Sequence, residues 1–209
     1  MIDAAAAAAK PEDAMETDAG RQVTVVTGLP RSGTSMVMRM LAEGGFPILT
    51  DGLRGADDDN VYGYFEYEPA KDIAHSVAWL DAAAGRAVKI VTPLVLRLPP
   101  DRPYRVLFIR RDLGAVIRSQ DRMVRRRGGE PGEADWRSRL AAIEAETEAW
   151  CAAMPAGRTL RLRYEDTVAA PKLASAAICD FLGRDLAVAA MADAVAPPRP
   201  VAGDALHNP

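Results

Sequence analysis

Cysteine and histidine are scarce in this chain: Cys151, Cys179, His75 and His207 are the full set in 209 residues. No CxxC pair and no His–Cys cluster occurs, which excludes a disulfide framework and a structural zinc site. No stretch approaches the roughly 18 consecutive apolar residues of a membrane helix, so no membrane partner is expected. A dominant charge is missing too. Lys and Arg number 26 against 29 Asp and Glu, a net charge of −3 that gives no basic field for nucleic acid. Any anion site must therefore be local. The opening MIDAAAAAAKPEDAMETDAG has six consecutive alanines but neither a basic lead nor a greasy core, so it does not read as a secretory signal.

What is present suits one globular domain. Hydrophobic residues make up 49% of the chain, ample for a single core at this length. The expected organisation is a disordered acidic, alanine-rich tail over 1–20, one domain over 21–196 and a loose proline-rich tail over 197–209. The expected location is the cytoplasm. Within the domain, QVTVVTG and YRVLFIRR read as buried strands, and AVKIVT and TLRLRYED as shorter ones. Helices are expected over 35–45, 72–84, 112–126, 134–153 and 173–182, the last stopping at Gly183. The segment 46–69 is rich in Asp, Gly and Tyr without a period, as in a long functional loop. Strands alternating with helices predict an α/β fold with a central parallel sheet.

The loop after the first strand carries the chemistry. Gly28-Leu-Pro-Arg-Ser-Gly33-Thr34-Ser35 has the GxxxxG spacing of a phosphate-binding P-loop, set between a strand and a helix as that motif requires. Its glycines let backbone N–H groups turn inward, and the helix N-terminus adds partial positive charge. Pro30, Arg31, Ser32, Gly33, Thr34 and Ser35 are thus candidate phosphate ligands. Thr34 stands where an ATP- or GTP-hydrolysing P-loop has lysine, so Arg31 is the loop's sole cation. FIRRD, at the end of the strong central strand, begins its polar run with two arginines rather than a metal-binding acid. These departures disfavour a metal-dependent nucleotide kinase, which remains the rival enzyme class. A non-catalytic nucleotide-binding protein of the same fold is the third reading.

Arg111 ends the YRVLFIRR strand, and Ser119 follows eight residues later in the next helix. The pair can converge on one phosphate at the carboxyl edge of the sheet, or stand as a surface cap and an exposed serine. Arg110 is the rival, one register off.

Together GLPRSGTS, the Arg111-Asp112 to Ser119 spacing and LRYED resemble the sulfotransferases, most closely their bacterial and tyrosylprotein branches. The resemblance runs from about Val23 to Leu182 and implies a P-loop NTPase-like three-layer sandwich. It also implies a reaction: transfer of a sulfuryl group from 3′-phosphoadenosine 5′-phosphosulfate (PAPS) to an acceptor hydroxyl or amine, leaving the bisphosphate PAP and requiring no metal. It places Arg31 at the phosphate leaving group, Arg111 and Ser119 on the 3′-phosphate, Tyr164 beside the nucleotide and Lys89 at the sulfuryl group in transit. It leaves the acceptor unnamed. The glycine-rich C-terminal loop of the cytosolic steroid and phenol enzymes has no counterpart here.

Two carboxylates are candidates for the acceptor's base. Asp51 lies about where the tyrosylprotein branch has its glutamate, twenty residues past Arg31, or is a turn residue before Gly52. If it is the base, Asp51→Asn abolishes turnover and spares nucleotide affinity. Glu66 sits in the aromatic GYFEYE, where apolar neighbours would raise its pKa toward a working value. His75 has the base type of other branches but falls in a helical pattern. Tyr62, Tyr64, Phe65 and Tyr67 either wall an acceptor site or pack the loop onto its own core. The DDDN run at 57–60 and the arginines 125–127 read as solvated surface.

Overall fold

The computed structural model describes residues 22–57, 60–130 and 136–195. Both expected tails lie outside the described residues. Four strands form one parallel sheet: β1 (Val23–Thr27), β2 (Ala87–Lys89), β3 (Tyr104–Arg110) and β4 (Thr159–Arg163). Their order is β2-β1-β3-β4, with Val25 paired to both Val88 and Val106. The β-branched run VTVVT is buried at every position because both faces of the sheet are covered.

The period of two along each strand divides the core. Val25, Val106 and Phe108 face one layer with Trp79, Leu80, Val95 and Cys151. Val26, Leu107 and Ile109 face the other, against Val37, Met38 and Leu41 of α1 (Thr34–Glu43). The second layer also holds Ile178 and Leu182 of α6 (Pro171–Leu182) and Met191 of α7 (Val188–Asp193). Helix α4 (Trp136–Ala152) covers the first face, and Leu140 joins it to Val116 of α3 (Leu113–Arg126). Helices on both sides of a parallel sheet make the expected three-layer α/β sandwich. Among the described residues no helix is long and apolar enough to cross a membrane. Both cysteines are free, and burial pushes the Cys151 thiol up to about 11, as befits an inert core thiol.

Two expectations on secondary structure need correction. The 72–84 helix is instead a series of turns with a short 3-10 helix at Ala78–Asp81, after the one-turn α2 (Glu68–Lys71). Most of its bonds span three residues, as from Leu80 N to Val77 O and from Ala83 N to Leu80 O. That pattern rises about 2.0 Å per residue rather than 1.5 Å, so the segment covers more length while burying Ile73, Trp79, Leu80 and Ala83. The strand TLRLRYED stops at Arg163, the partner of Arg110, where β3 itself ends. With no ladder left, Tyr164 opens α5 (Tyr164–Ala169), and Glu165 and Asp166 suit the positive end of its first turn. Helix α7 had no counterpart in the sequence pattern; six residues are too few to show a helical period.

Candidate functional site

The connection from β1 leads to β2 on one side, while that from β3 leads to β4 on the other. The loops after β1 and β3 therefore diverge at the carboxyl edge, leaving a crevice where open α/β sheets bind ligands. The glycine-bounded loop after β1 fills one lip. Gly28 has φ +155°, and a Cβ there would sit 2.3 Å from the Ile109 carbonyl oxygen, so the loop lies against the end of β3. Gly33 has φ +109°, and a Cβ there would meet the Tyr164 ring at 2.7 Å. Arg31 holds φ +73°, a conformation that costs a non-glycine residue of order 1 kcal/mol and tends to occur at ligand sites. Gly28→Ala is expected to lose about 1–3 kcal/mol of stability, because a backbone oxygen cannot step aside as a side chain can. A thermal melt of the purified variant checks this.

The second lip comes from β3 and α3. Arg31 Nε donates to Ser119 Oγ at 3.0 Å, and Arg111 Nη1 donates to the Arg31 carbonyl at 3.1 Å. Ser119 is buried on α3, and the Arg111 guanidinium lies 4.1 Å from the centre of the Tyr164 ring. Arg110 points elsewhere, donating to Glu144 Oε2 of α4 at 3.0 Å. Successive strand residues face opposite sides, so only one of the two arginines can serve the crevice. Asp112 caps α3 through Ala115 N at 2.8 Å, and its own N–H donates to Glu165 at 3.0 Å, which ties the lip to α5.

A cavity of about 560 Å³ opens from the crevice. Pro30, Arg31, Gly33, Thr34, Ser35, Lys89, Glu66, Arg111, Ser119 and Tyr164 line it, whereas Asp51 and His75 do not. Ser32 is buried beneath the loop, with its hydroxyl unpartnered. Lys89 closes β2 and is buried. Its ammonium donates to the Tyr64 carbonyl, to Ser35 Oγ at 3.4 Å and to Glu66 Oε1 at 3.4 Å. Burial lowers its pKa to about 8, against the pull of Glu66.

Glu66 departs from expectation. Its neighbours are cations: Arg54 lies at 3.0 Å, Lys71 at 3.0 Å and Lys89 at 3.4 Å. Burial alone would push the carboxyl up, but these charges outweigh it and hold the group below the usual range. It is ionised at neutral pH, not poised near 7. Asp51 is exposed and accepts from Leu53 N at 3.0 Å and Glu68 N at 2.5 Å. The Glu68 bond is the main reason its carboxyl is held low. It anchors the start of α2, where Tyr67 supplies no side-chain cap. His75 is exposed beside Asp72 at 2.5 Å.

The aromatic cluster divides. Tyr64 and Tyr67 reach the cavity, Phe65 packs with the core, and Tyr62 lies under Arg39. Tyr64 is buried, with its hydroxyl on Asp57 at 2.7 Å and the Arg54 guanidinium 3.4 Å from its ring centre. Arg54 and Lys71 escaped sequence reasoning. Each sits near a recognised feature, but nothing in the pattern says that a loop arginine and a helix-end lysine turn toward the same carboxylate.

A family model described as the sulfotransferase family matches residues 93–187. Over that stretch, a little under half of the chain, the sequence is similar to the sulfotransferases. That segment includes Arg111, Ser119 and Tyr164, while the phosphate loop and Lys89 precede it. The architecture agrees with solved sulfotransferases. The sulfotransferase domain of the Synechococcus PCC 7002 olefin synthase superposes with a TM-score of 0.55 at 17% identity, covering 85% of this chain and 78% of that one. A sulfotransferase from Alicyclobacillus acidocaldarius gives 0.52 at 15% identity, covering 78% of this chain and 81% of that one. No curated protein matches the chain.

Proposed function

We propose that this sulfotransferase-like chain uses PAPS as donor and transfers its sulfuryl group to an acceptor hydroxyl or amine in the cavity. The observation that supports this best is the meeting of two phosphate elements across the β1–β3 crevice, with Arg31 on Ser119 and Arg111 on the Arg31 carbonyl. The residues present fit a nucleotide with two separate phosphate groups. Arg111 lines the cavity with its Nε buried and without a partner, and an unpaired buried polar group costs about 1–3 kcal/mol until a ligand satisfies it. The loop amides and Thr34 and Ser35 serve the 5′ end, and Arg111 with Ser119 the 3′-phosphate.

When bound, the donor supplies a sulfuryl group whose S–O bond to the 5′-phosphate breaks as the acceptor's oxygen or nitrogen bonds to sulfur, the bonding electrons staying on the phosphate. Arg31 and Lys89 hold fixed positive charge where that leaving phosphate gains negative charge, which costs no reorganisation during reaction. Glu66 is the one carboxylate among the described residues lining the cavity, and it takes the acceptor's proton. Tyr64 and Tyr67 wall the acceptor end and exclude water.

The first test is calorimetric titration of the purified protein with PAP, with ADP and ATP-Mg²⁺ as controls. Metal-independent binding of the bisphosphate is expected; preference for ATP-Mg²⁺ sinks the donor assignment in favour of a kinase. The two carboxylates separate by mutation once an acceptor is in hand. Glu66→Gln is expected to lower turnover roughly 10²–10⁴-fold with PAP affinity kept, the range for losing a general base. Asp51→Ala is expected to lower the melting temperature while turnover persists. The reverse pattern returns the base to Asp51.

A further inference from the structure

The cavity wall is unevenly charged for a chain of net charge −3. Arg31, Arg54, Lys71, Lys89 and Arg111 line it against the single carboxylate of Glu66 among the described residues. Arg31, Arg111 and Lys89 belong to the donor end described above. Arg54 and Lys71 do not: they come from the 46–67 loop and from α2, and both grip Glu66 at 3.0 Å. Their side chains are 37% and 45% exposed, so they reach the cavity from its rim. Apolar and aromatic surface lies alongside, in Tyr67, Leu94 and Met36.

We infer that Arg54 and Lys71 form an anion subsite that selects an acceptor bearing an acidic group on an apolar body, its hydroxyl or amine set toward Glu66. This rests on the sulfotransfer reading of the same cavity. The charge balance of the reaction gives the reason. When Glu66 takes the acceptor's proton it becomes neutral, and three cations within 3.4 Å lose their shared counter-ion. A neutral acceptor leaves the buried Lys89 without its counter-ion, and the rim cations Arg54 and Lys71 to a lesser degree because solvent screens them. An acceptor with its own carboxylate on Arg54 and Lys71 replaces the lost charge. The same carboxylate, a like charge beside Glu66, offsets the cations that keep that residue a weak base. Glu68 relieves Lys71 in part, at 2.6 Å, but its side chain is 59% exposed and does not line the cavity.

The test uses the full chain saturated with PAP and two matched pairs of probes: 4-hydroxybenzoate with 4-hydroxybenzamide, and 3-hydroxydecanoate with 3-hydroxydecanamide. Calorimetry is expected to show the acid of at least one pair binding about tenfold more tightly than its amide, the scale of one charge-assisted bond. The double substitution Arg54→Gln and Lys71→Gln is expected to erase that preference while PAP affinity and the melting temperature of the PAP complex stay close to the parent's. Equal affinity within both pairs overturns the inference, as does a preference that survives the double substitution, or no binding of any probe to protein that binds PAP. Failure to bind PAP at all is a different result, since it removes the donor reading on which the subsite rests.

Discussion

Arg111→Ala is expected to weaken PAP binding by roughly 10²-fold or more, because truncating one partner of a buried charged contact costs about 2–5 kcal/mol. The structure gives the change three separate consequences. The guanidinium leaves the Tyr164 ring, 4.1 Å away, and takes with it the cation–π contact that positions both groups. The Arg31 carbonyl loses its donor at 3.1 Å, so the strained loop residue is held less firmly. Under the proposed function, a phosphate at Ser119 also loses the cation that follows β3. Arg110→Ala is the control, since that side chain is spent on Glu144 and should leave PAP affinity unchanged. Titration calorimetry of both variants decides the matter. If both bind as the parent does, neither arginine holds a phosphate.

Lys89→Met should act on rate rather than on nucleotide affinity. Removing one preorganised donor from the charge that develops in a transition state typically costs about 10²–10³ in kcat. Methionine fills much of the same volume, so β2 and its buried end should keep their packing. The pH profile adds a second readout. Burial holds Lys89 at about 8, well below an exposed lysine, so its ammonium is charged at neutral pH and lost as pH rises through that value. The kcat/KM of the free enzyme is therefore expected to fall on the alkaline side near 8. In Lys89→Arg that limb should vanish whatever rate remains, because a guanidinium stays charged. The same depressed pKa has a signature in stability. Between about 8 and the unfolded value of 10.5 the unfolded chain binds the extra proton, so the melting temperature should gain from this group as pH rises through that window. A profile with no limb near 8, unchanged in Lys89→Arg, removes the lysine from the charge-stabilising role.

The sheet was largely legible because its cause is local. VTVVT and YRVLFIR are apolar on both faces, and only a strand covered on both sides tolerates that. The backbone of the loop after β1 was legible for a related reason: Gly28 and Gly33 stand where φ is positive and a Cβ would collide, a demand that shows directly as residue type. The turn region after Lys71 was misread because its apolar residues keep a helix-like spacing, while burial against the sheet and the length to be covered set its actual backbone.

The site divides in the same way. By itself the sequence determined that a GxxxxG loop with threonine in place of the P-loop lysine follows a buried strand, and that an arginine and a serine stand eight apart after a second one. Only the tertiary structure decided that Arg111 rather than Arg110 faces the crevice, and that Glu66 rather than Asp51 lines the cavity. It alone gathered Arg54, Lys71 and Lys89 around one carboxylate. Backbone conformation and strand burial are written in neighbouring residues. The pKa of a carboxylate and the charge of a cavity depend on groups far apart in the chain, which meet only when the sheet brings its loops to one edge.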